Sequence, residues 1–268
     1  MNPAVLRGLS RTNLEALAAA LESGRIVPPY SRLGLQALVG ALQAEPAAAE
    51  MAHLAAQGMQ PIHIAYLLRA LVAERADAQQ LRDQIEIVWT GDDLLAITGR
   101  DTAVVVRELF AAARKSVLIA SYALDRGEKA MALFGELAAR LDNEPGFTVR
   151  VCLNIHRPTQ SNQSEAQLVE AFGKLFREEI WPGSKLPQVF YDPRALQKGG
   201  NERACLHAKC VVIDQQKALV TSANFTEAAH KRNIEVGALL SDQATASALW
   251  QQFALLIQKR NLLALYPV

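Results

Sequence analysis

The stretch from His207 to Glu235 reads HAKCVVIDQQKALVTSANFTEAAHKRNIE and gathers residue types suited to phosphoryl chemistry. His207, Lys209 and Asp214 stand in the spacing H-x-K-x4-D, and Ser222, Asn224 and Glu235 follow. A neutral imidazole can attack phosphorus and, through a covalent phosphohistidine, split one hard displacement into two easier ones. Lys209 supplies positive charge where negative charge develops, and Ser222 and Asn224 supply fixed donors to the same phosphate oxygens. Glu235 can accept the second ring N–H of His207, fixing its tautomer and stabilising the imidazolium. Protein donors cover the phosphate oxygens in this arrangement, so neither a metal nor another cofactor is expected.

Two strands must position these groups. LHAKCVVID is rich in β-branched and apolar residues and ends on a polar cluster, and ALVTSAN follows at once. A hairpin symmetric about Gln215–Gln216 sets Lys209 opposite Ser222 and His207 opposite Asn224. Side chains alternate across a sheet, so all four then project from one face, and Thr221 points to the other, toward Cys210. A slip of one residue would separate His207 from Asn224. Lys231 and Arg232, just before the Glu235 strand, are candidate contacts to flanking nucleic-acid phosphates, the alternative being a solvated charge pair. His156 and Arg157 end another strand with no lysine two residues on. They read as a solvated strand end, with an active-site rim as the alternative.

These residues resemble the single motif of the phospholipase D superfamily, H-x-K-x4-D-x6-G-S-x-N with a downstream Glu. The resemblance implies His207 as nucleophile, Lys209 and Asn224 as phosphate ligands, Glu235 as partner of the histidine, and Asp214 as a mainly structural member of the catalytic set. One position departs, since the superfamily usually has Gly where this chain has Thr221. The fold implied is α/β, a phospholipase-D-like mixed sheet flanked by helices.

Composition bounds the rest. The 268 residues are half apolar, enough for a globular core and a smaller helical module. A net charge of +1 gives no global field for drawing in nucleic acid, so binding must rely on a local patch. Cys152, Cys205 and Cys210 are odd in number and spaced unlike a zinc site, which reads as free thiols in a reducing cytosol. The first residues contain no apolar secretion core, and no stretch approaches the ~18 apolar residues of a membrane span. A cytoplasmic protein without membrane attachment is expected.

Along the chain, residues 1–83 read as helices only. Thr12 with Glu15 suggests a capping box before Leu14, Leu17 and Leu21. Ser31 suggests the cap of a second helix, Glu45–Pro46 the start of a third ending at Gly58, and Pro61 the first turn of a fourth. His53 and His63 read as ordinary helix residues. This N-terminal all-α module is expected to be a docking or dimerisation element, the alternative being a cover for the remaining chain. From residue 84 to 268, strands and helices alternate as in an α/β domain, and this is the expected catalytic domain. Its strands are 85–90, 116–124, FTVRVCLNIH and QVFYD, and its helices open at Asp101 or Thr102 and span about 128–141, 164–179 and 243–260. A basic loop at Lys198–Gly200 leads into the motif.

In-line displacement needs a nucleophile on one side of phosphorus and a general acid on the other. The chain carries one copy of the motif, so a homodimer with His207 from each copy across a shared site is expected. The helical N-terminus, the VWTG strand and the HAKCVVID…SANFTEAAHKRNIEVG segment together resemble the phospholipase-D-like component of bacterial DISARM anti-phage defence systems. That resemblance implies restriction of foreign DNA beside helicase and methyltransferase partners. The leading reading is therefore a metal-independent phosphodiesterase, a nuclease working through phosphohistidine. A lipid phosphodiesterase of the phospholipase D type and a non-catalytic phosphate- or nucleic-acid-binding subunit remain as alternatives.

Overall fold

Leucine and alanine at helical spacing dominate the first 83 residues, and in the computed structural model the described residues among them form five helices: α1 (Ala4–Gly8), α2 (Arg11–Glu22), α3 (Arg32–Val39), α4 (Ala41–Ala56) and α5 (Pro61–Asp83). The structure describes residues 4–91, 100–158, 161–197 and 204–266. The chain divides into two compact units, Met1–Asp83 and Gln84–Val268. In the first, Leu14, Leu17, Leu35, Met51, Ile64 and Leu68 are fully buried against one another, each such side chain contributing about 1.5–3 kcal/mol.

Two helix starts differ from expectation. α2 is capped by Ser10, whose Oγ accepts from Asn13 N at 3.1 Å, while Glu15 pairs with Arg11 instead of closing a box on Thr12. α4 begins at Ala41, directly after Gly40, so Pro46 lies inside it. The chain bends at Gly40, where φ is 82°, and the helix has already started when Pro46 is reached.

The second unit is built on a sheet of nine strands among the described residues. In chain order its elements are β1 (Ile85–Thr90), β2 (Arg100–Asp101), α6 (Thr102–Ala112), β3 (Ser116–Ser121), α7 (Glu128–Asn143), β4 (Thr148–Leu153), α8 (Glu165–Leu175), β5 (Gln188–Tyr191), β6 (Cys210–Ile213), β7 (Lys217–Thr221), α9 (Glu227–Lys231), β8 (Glu235–Leu240), α10 (Gln243–Gln258) and β9 (Leu263–Ala264). The strand order is β2-β1-β8-β7-β6-β3-β4-β5-β9, with β3, β4 and β5 parallel and β6, β7 and β8 antiparallel. This is the mixed α/β sheet the sequence implies. The central strand β3 is buried on both faces. Val117 and Ile119 pack toward α6, α7 and α8, and Leu118 and Ala120 pack toward α10. Such two-sided burial explains its unbroken apolar run.

Pairing of Ala120 with both Cys152 and Cys210, of Cys210 with Val220, and of Thr221 with Gly237 brings several strand ends to one edge. The C-terminal ends of β3, β4 and β7 and the N-terminal ends of β6 and β8 meet there. Ligand sites of open α/β sheets form at such edges. No helix among the described residues is long and apolar enough to cross a membrane. The expected loop at Lys198–Gly200 lies outside the described residues.

Candidate functional site

The β6–β7 hairpin does not have the expected register. Cys210 faces Val220 and Ile213 faces Lys217, so the turn holds three residues, Asp214–Gln216, and not two. Asp214 and Gln215 adopt positive φ values of 52° and 57°, and Gln216 N donates to Ile213 O at 2.9 Å. Lys209 therefore lies beside Thr221, whose N–H donates to Lys209 O at 3.1 Å, and not beside Ser222. Thr221 consequently faces neither Cys210 nor open space: its cross-strand partner on β8 is Gly237.

Both segments leave the ladder at this edge. β6 starts only at Cys210, and the chain turns after Thr221. Ser222 N donates to Val236 O, Ala223 N to Thr221 Oγ1, and Phe225 N to Ser121 Oγ. Asn224 Oδ1 accepts from Ala123 N at 3.3 Å. The segment after β7 is thus stitched to the segment after β3. There Ser121 Oγ donates to Ala123 O and Asp125 Oδ2 caps Glu227 N.

His207 and Lys209 stand side by side. Lys209 Nζ is 2.9 Å from His207 Nδ1, 3.1 Å from Nε2 and 2.9 Å from the His207 carbonyl oxygen, to which it donates. Tyr122, directly after β3, completes the cluster. Its ring centroid lies 5.0 Å from that of His207, tilted by 53°, and Lys209 Nζ lies 5.8 Å from it. His207 is exposed and Lys209 is buried. Burial pushes the Lys209 ammonium below the ordinary lysine range, with the Glu235 carboxylate pulling the other way.

Glu235 does not take the expected place against the imidazole. Ser222 Oγ donates to its Oε2 and Asn233 Nδ2 to its Oε1, at 3.0 Å for the latter. Among the described residues no hydrogen bond joins it to His207. Ser222 Oγ also accepts from Val236 N at 3.1 Å, which fixes the hydroxyl at the start of β8. Asp214 sits at the opposite end of the hairpin, beyond the four residues of β6, a separation on the order of 15 Å at strand rise. Its carboxylate accepts from Arg114 N, Lys115 N and Ser116 N at 2.7, 2.7 and 2.8 Å, clamping the entry to β3.

Other candidates fall elsewhere. Arg232 is exposed just past α9, and the side chain of Lys231 lies outside the described residues. Arg157 is not a solvated strand end. It is 2 % exposed, and its Nε and Nη1 donate to the carbonyl oxygens of Leu196 and Gln163 at 2.5 and 2.7 Å. His156, next to it, is exposed. Cys152 and Cys210 are free and buried, and burial raises both thiols to about 12, which makes them poor nucleophiles. Among the described residues no group of three His, Cys, Asp or Glu side chains could hold a metal ion. Tyr122 and Asn233 belong to the site without having been singled out in the sequence. The sequence reading places Tyr122 inside the strand 116–124, whereas β3 ends at Ser121 and frees Tyr122 to face His207.

Chemically, the edge offers an exposed imidazole touching a desolvated ammonium, with a hydroxyl, an amide and a carboxylate held nearby. Residues 106–257 match the family described as cardiolipin synthase, PLD-like domain. The DISARM protein DrmC of Bacillus paralicheniformis is 27 % identical over 165 residues, which cover 62 % of this chain and 60 % of that protein. The match thus spans less than two thirds of that relative's length. Among solved structures, Nuc of Salmonella typhimurium, a phospholipase D family member, is similar with a TM-score of 0.41 and 13 % identity, over 69 % of this chain and 98 % of that one. Phosphatidylserine synthase of Haemophilus influenzae is similar with a TM-score of 0.44 and 17 % identity, over 77 % of this chain and 47 % of that one.

Proposed function

The chain belongs to the PLD-like domain family, and on that premise we propose that it is a metal-independent phosphodiesterase, a nuclease of anti-phage defence that works through a phosphohistidine at His207. The observation that carries this reading is the contact of Lys209 Nζ with both ring nitrogens of His207. A bound phosphate draws the ammonium to its own oxygens and leaves the ring nitrogen free to attack. Asn224, Ser222 and Lys209 are proposed as the phosphate-binding set, with Glu235 holding Ser222 in place. Asp214 is proposed to act on the fold and not on the substrate.

In the first step a ring nitrogen of His207 forms an N–P bond while the P–O bond to the leaving strand breaks. The leaving oxygen takes a proton from an imidazolium on the far side of phosphorus. That imidazole then takes a proton from water, the water oxygen bonds to phosphorus, and the N–P bond breaks. One chain supplies one such histidine in its motif, so the second is proposed to come from His207 of another copy in a two-fold dimer. The similarity to DrmC supports a defence setting, and the helical unit Met1–Asp83 is proposed to dock other proteins of such a system.

The test is cleavage of a generic phosphodiester and of single- and double-stranded DNA in EDTA, comparing wild type with His207→Ala, alongside light scattering. Activity that persists in EDTA, vanishes in the variant and accompanies a dimer is expected. Loss in EDTA, or an active variant, overturns the mechanism. Cleavage of phospholipid alone makes the protein a lipid phosphodiesterase, and silence on every substrate makes it a binding subunit.

A further inference from the structure

Tyr122 has a second role beyond its contact with His207. It also lines a cavity of about 240 Å³, together with Leu153, Asn154, His156, Phe172 and Arg126. The cavity lies past the C-terminal ends of β3 and β4, on the sheet edge that carries the histidine. Its volume falls below the ~300–1,000 Å³ of drug-sized sites, which suits a single ring system. Asn154 is one of its lining residues, and the Oδ1 of that side chain is buried with no hydrogen-bond partner among the described residues. A buried acceptor left unpaired is costly, and a ligand that brings a donor removes the cost.

We propose that this cavity receives one unpaired nucleobase of the strand being cut, next to the scissile phosphate. This rests on the phosphodiesterase reading above. The base lies against the Tyr122 and Phe172 rings, because base–aromatic stacking tolerates any sequence. An N–H on the base edge donates to Asn154 Oδ1, and exposed Arg126 meets a neighbouring phosphate at the rim. A lipid tail would fill the space but offers no donor to Asn154. A paired base inside a duplex cannot reach the cavity without leaving its stack. The site therefore selects single-stranded or locally melted nucleic acid.

The experiment uses the full chain and a fluorescently labelled single-stranded oligonucleotide in three forms: intact, with base-lacking residues throughout its centre, and annealed to its complement. Cleavage and anisotropy binding are read together, with bis(p-nitrophenyl) phosphate as a phosphodiester lacking any base and phosphatidylglycerol vesicles as the lipid arm. The intact single strand is expected to bind and react about tenfold better than the other two forms, within the range one stacked base contributes. Asn154→Leu is expected to narrow that gap, mainly through KM. Equal binding and cleavage of intact and base-lacking strands overturns the subsite, while turnover of bis(p-nitrophenyl) phosphate leaves the phosphodiesterase reading standing. Absence of turnover on every phosphodiester removes that reading, and the binding ratio still decides whether the cavity takes a base. Preference for vesicles over all oligonucleotides overturns the proposal in favour of a lipid site.

Discussion

Thr221 and Gly237 face each other across β7 and β8 with no room for a methyl group between them. A Cβ added at Gly237 would meet Val220 O at 2.8 Å and Thr221 Cβ at 2.9 Å. The bulk that this chain carries at Thr221, where the superfamily usually has glycine, is therefore accommodated by a glycine on the neighbouring strand. Gly237→Ala is expected to cost about 2 kcal/mol by overpacking. Adding Thr221→Gly should restore part of that loss, because one of the two close contacts disappears while the carbonyl remains. Urea denaturation of both single variants and the double variant measures the coupling.

Asp214 is read as a clamp at the far end of the hairpin. Its carboxylate accepts three consecutive backbone N–H groups at the entry to β3. Asp214→Ala leaves those donors without their acceptor and is expected to lower stability by about 3 kcal/mol. The melting temperature should then drop by roughly 6–12 °C for a unit of this size. Turnover at low temperature should survive in the folded fraction, which separates this residue from His207 and Lys209.

At Lys209 stability and the proposed chemistry pull in opposite directions. Burial lowers its pKa from 10.5, so the unfolded chain binds this proton more readily than the folded one. Stability from this group is present above 10.5 and is lost as pH falls through the lowered folded value, which leaves the charged lysine a net penalty at neutral pH. Lys209→Met is expected to gain about 1 kcal/mol at pH 7 and to abolish turnover. Calorimetry at pH 7 and pH 10 checks the sign, because the advantage of the variant should shrink at the higher pH.

His230, on α9, follows the same logic on the acid side. It is 7 % exposed, its Nε2 has no partner among the described residues, and burial holds its pKa below the ordinary 6.5 despite Asp101 and Asp125 favouring the charge; Arg107 adds to the depression. The unfolded state gains the proton first as pH falls, so stability is present above 6.5 and is lost as pH falls through the folded value. His230→Leu should reduce that acid-side loss, read as the change in urea midpoint between pH 7 and pH 5.

The parts of this molecule legible in the sequence are those fixed by local spacing. The alternation of apolar strands and amphipathic helices gave the mixed α/β sheet, and the two-residue interval set His207 next to Lys209. The register failed because Asp214 and Gln215 take positive φ without a glycine to announce it, which lengthens the turn by one residue. Glu235 was expected against His207, yet Ser222 and Asn233 stand closer along the chain and hold both its oxygens. Arg157 reads as a strand-end charge, and its burial follows from two carbonyls, of Gln163 and of Leu196 39 residues away, that accept from its guanidinium. Tyr122 falls inside the expected strand 116–124, where a single aromatic carries no motif. Its meaning comes from β6 lying beside β3.

The central claim is that His207 becomes covalently bonded to phosphorus. Quenching turnover of a single-stranded oligonucleotide in alkaline denaturant, digesting with trypsin and weighing the peptide Ala204–Lys209 tests it directly, because a phosphoryl–imidazole bond survives base. The account predicts that this peptide carries the phosphoryl-linked nucleotide on His207 during turnover and that the adduct disappears in His207→Ala. Full turnover with the peptide unmodified, or an adduct on any other residue, would contradict it.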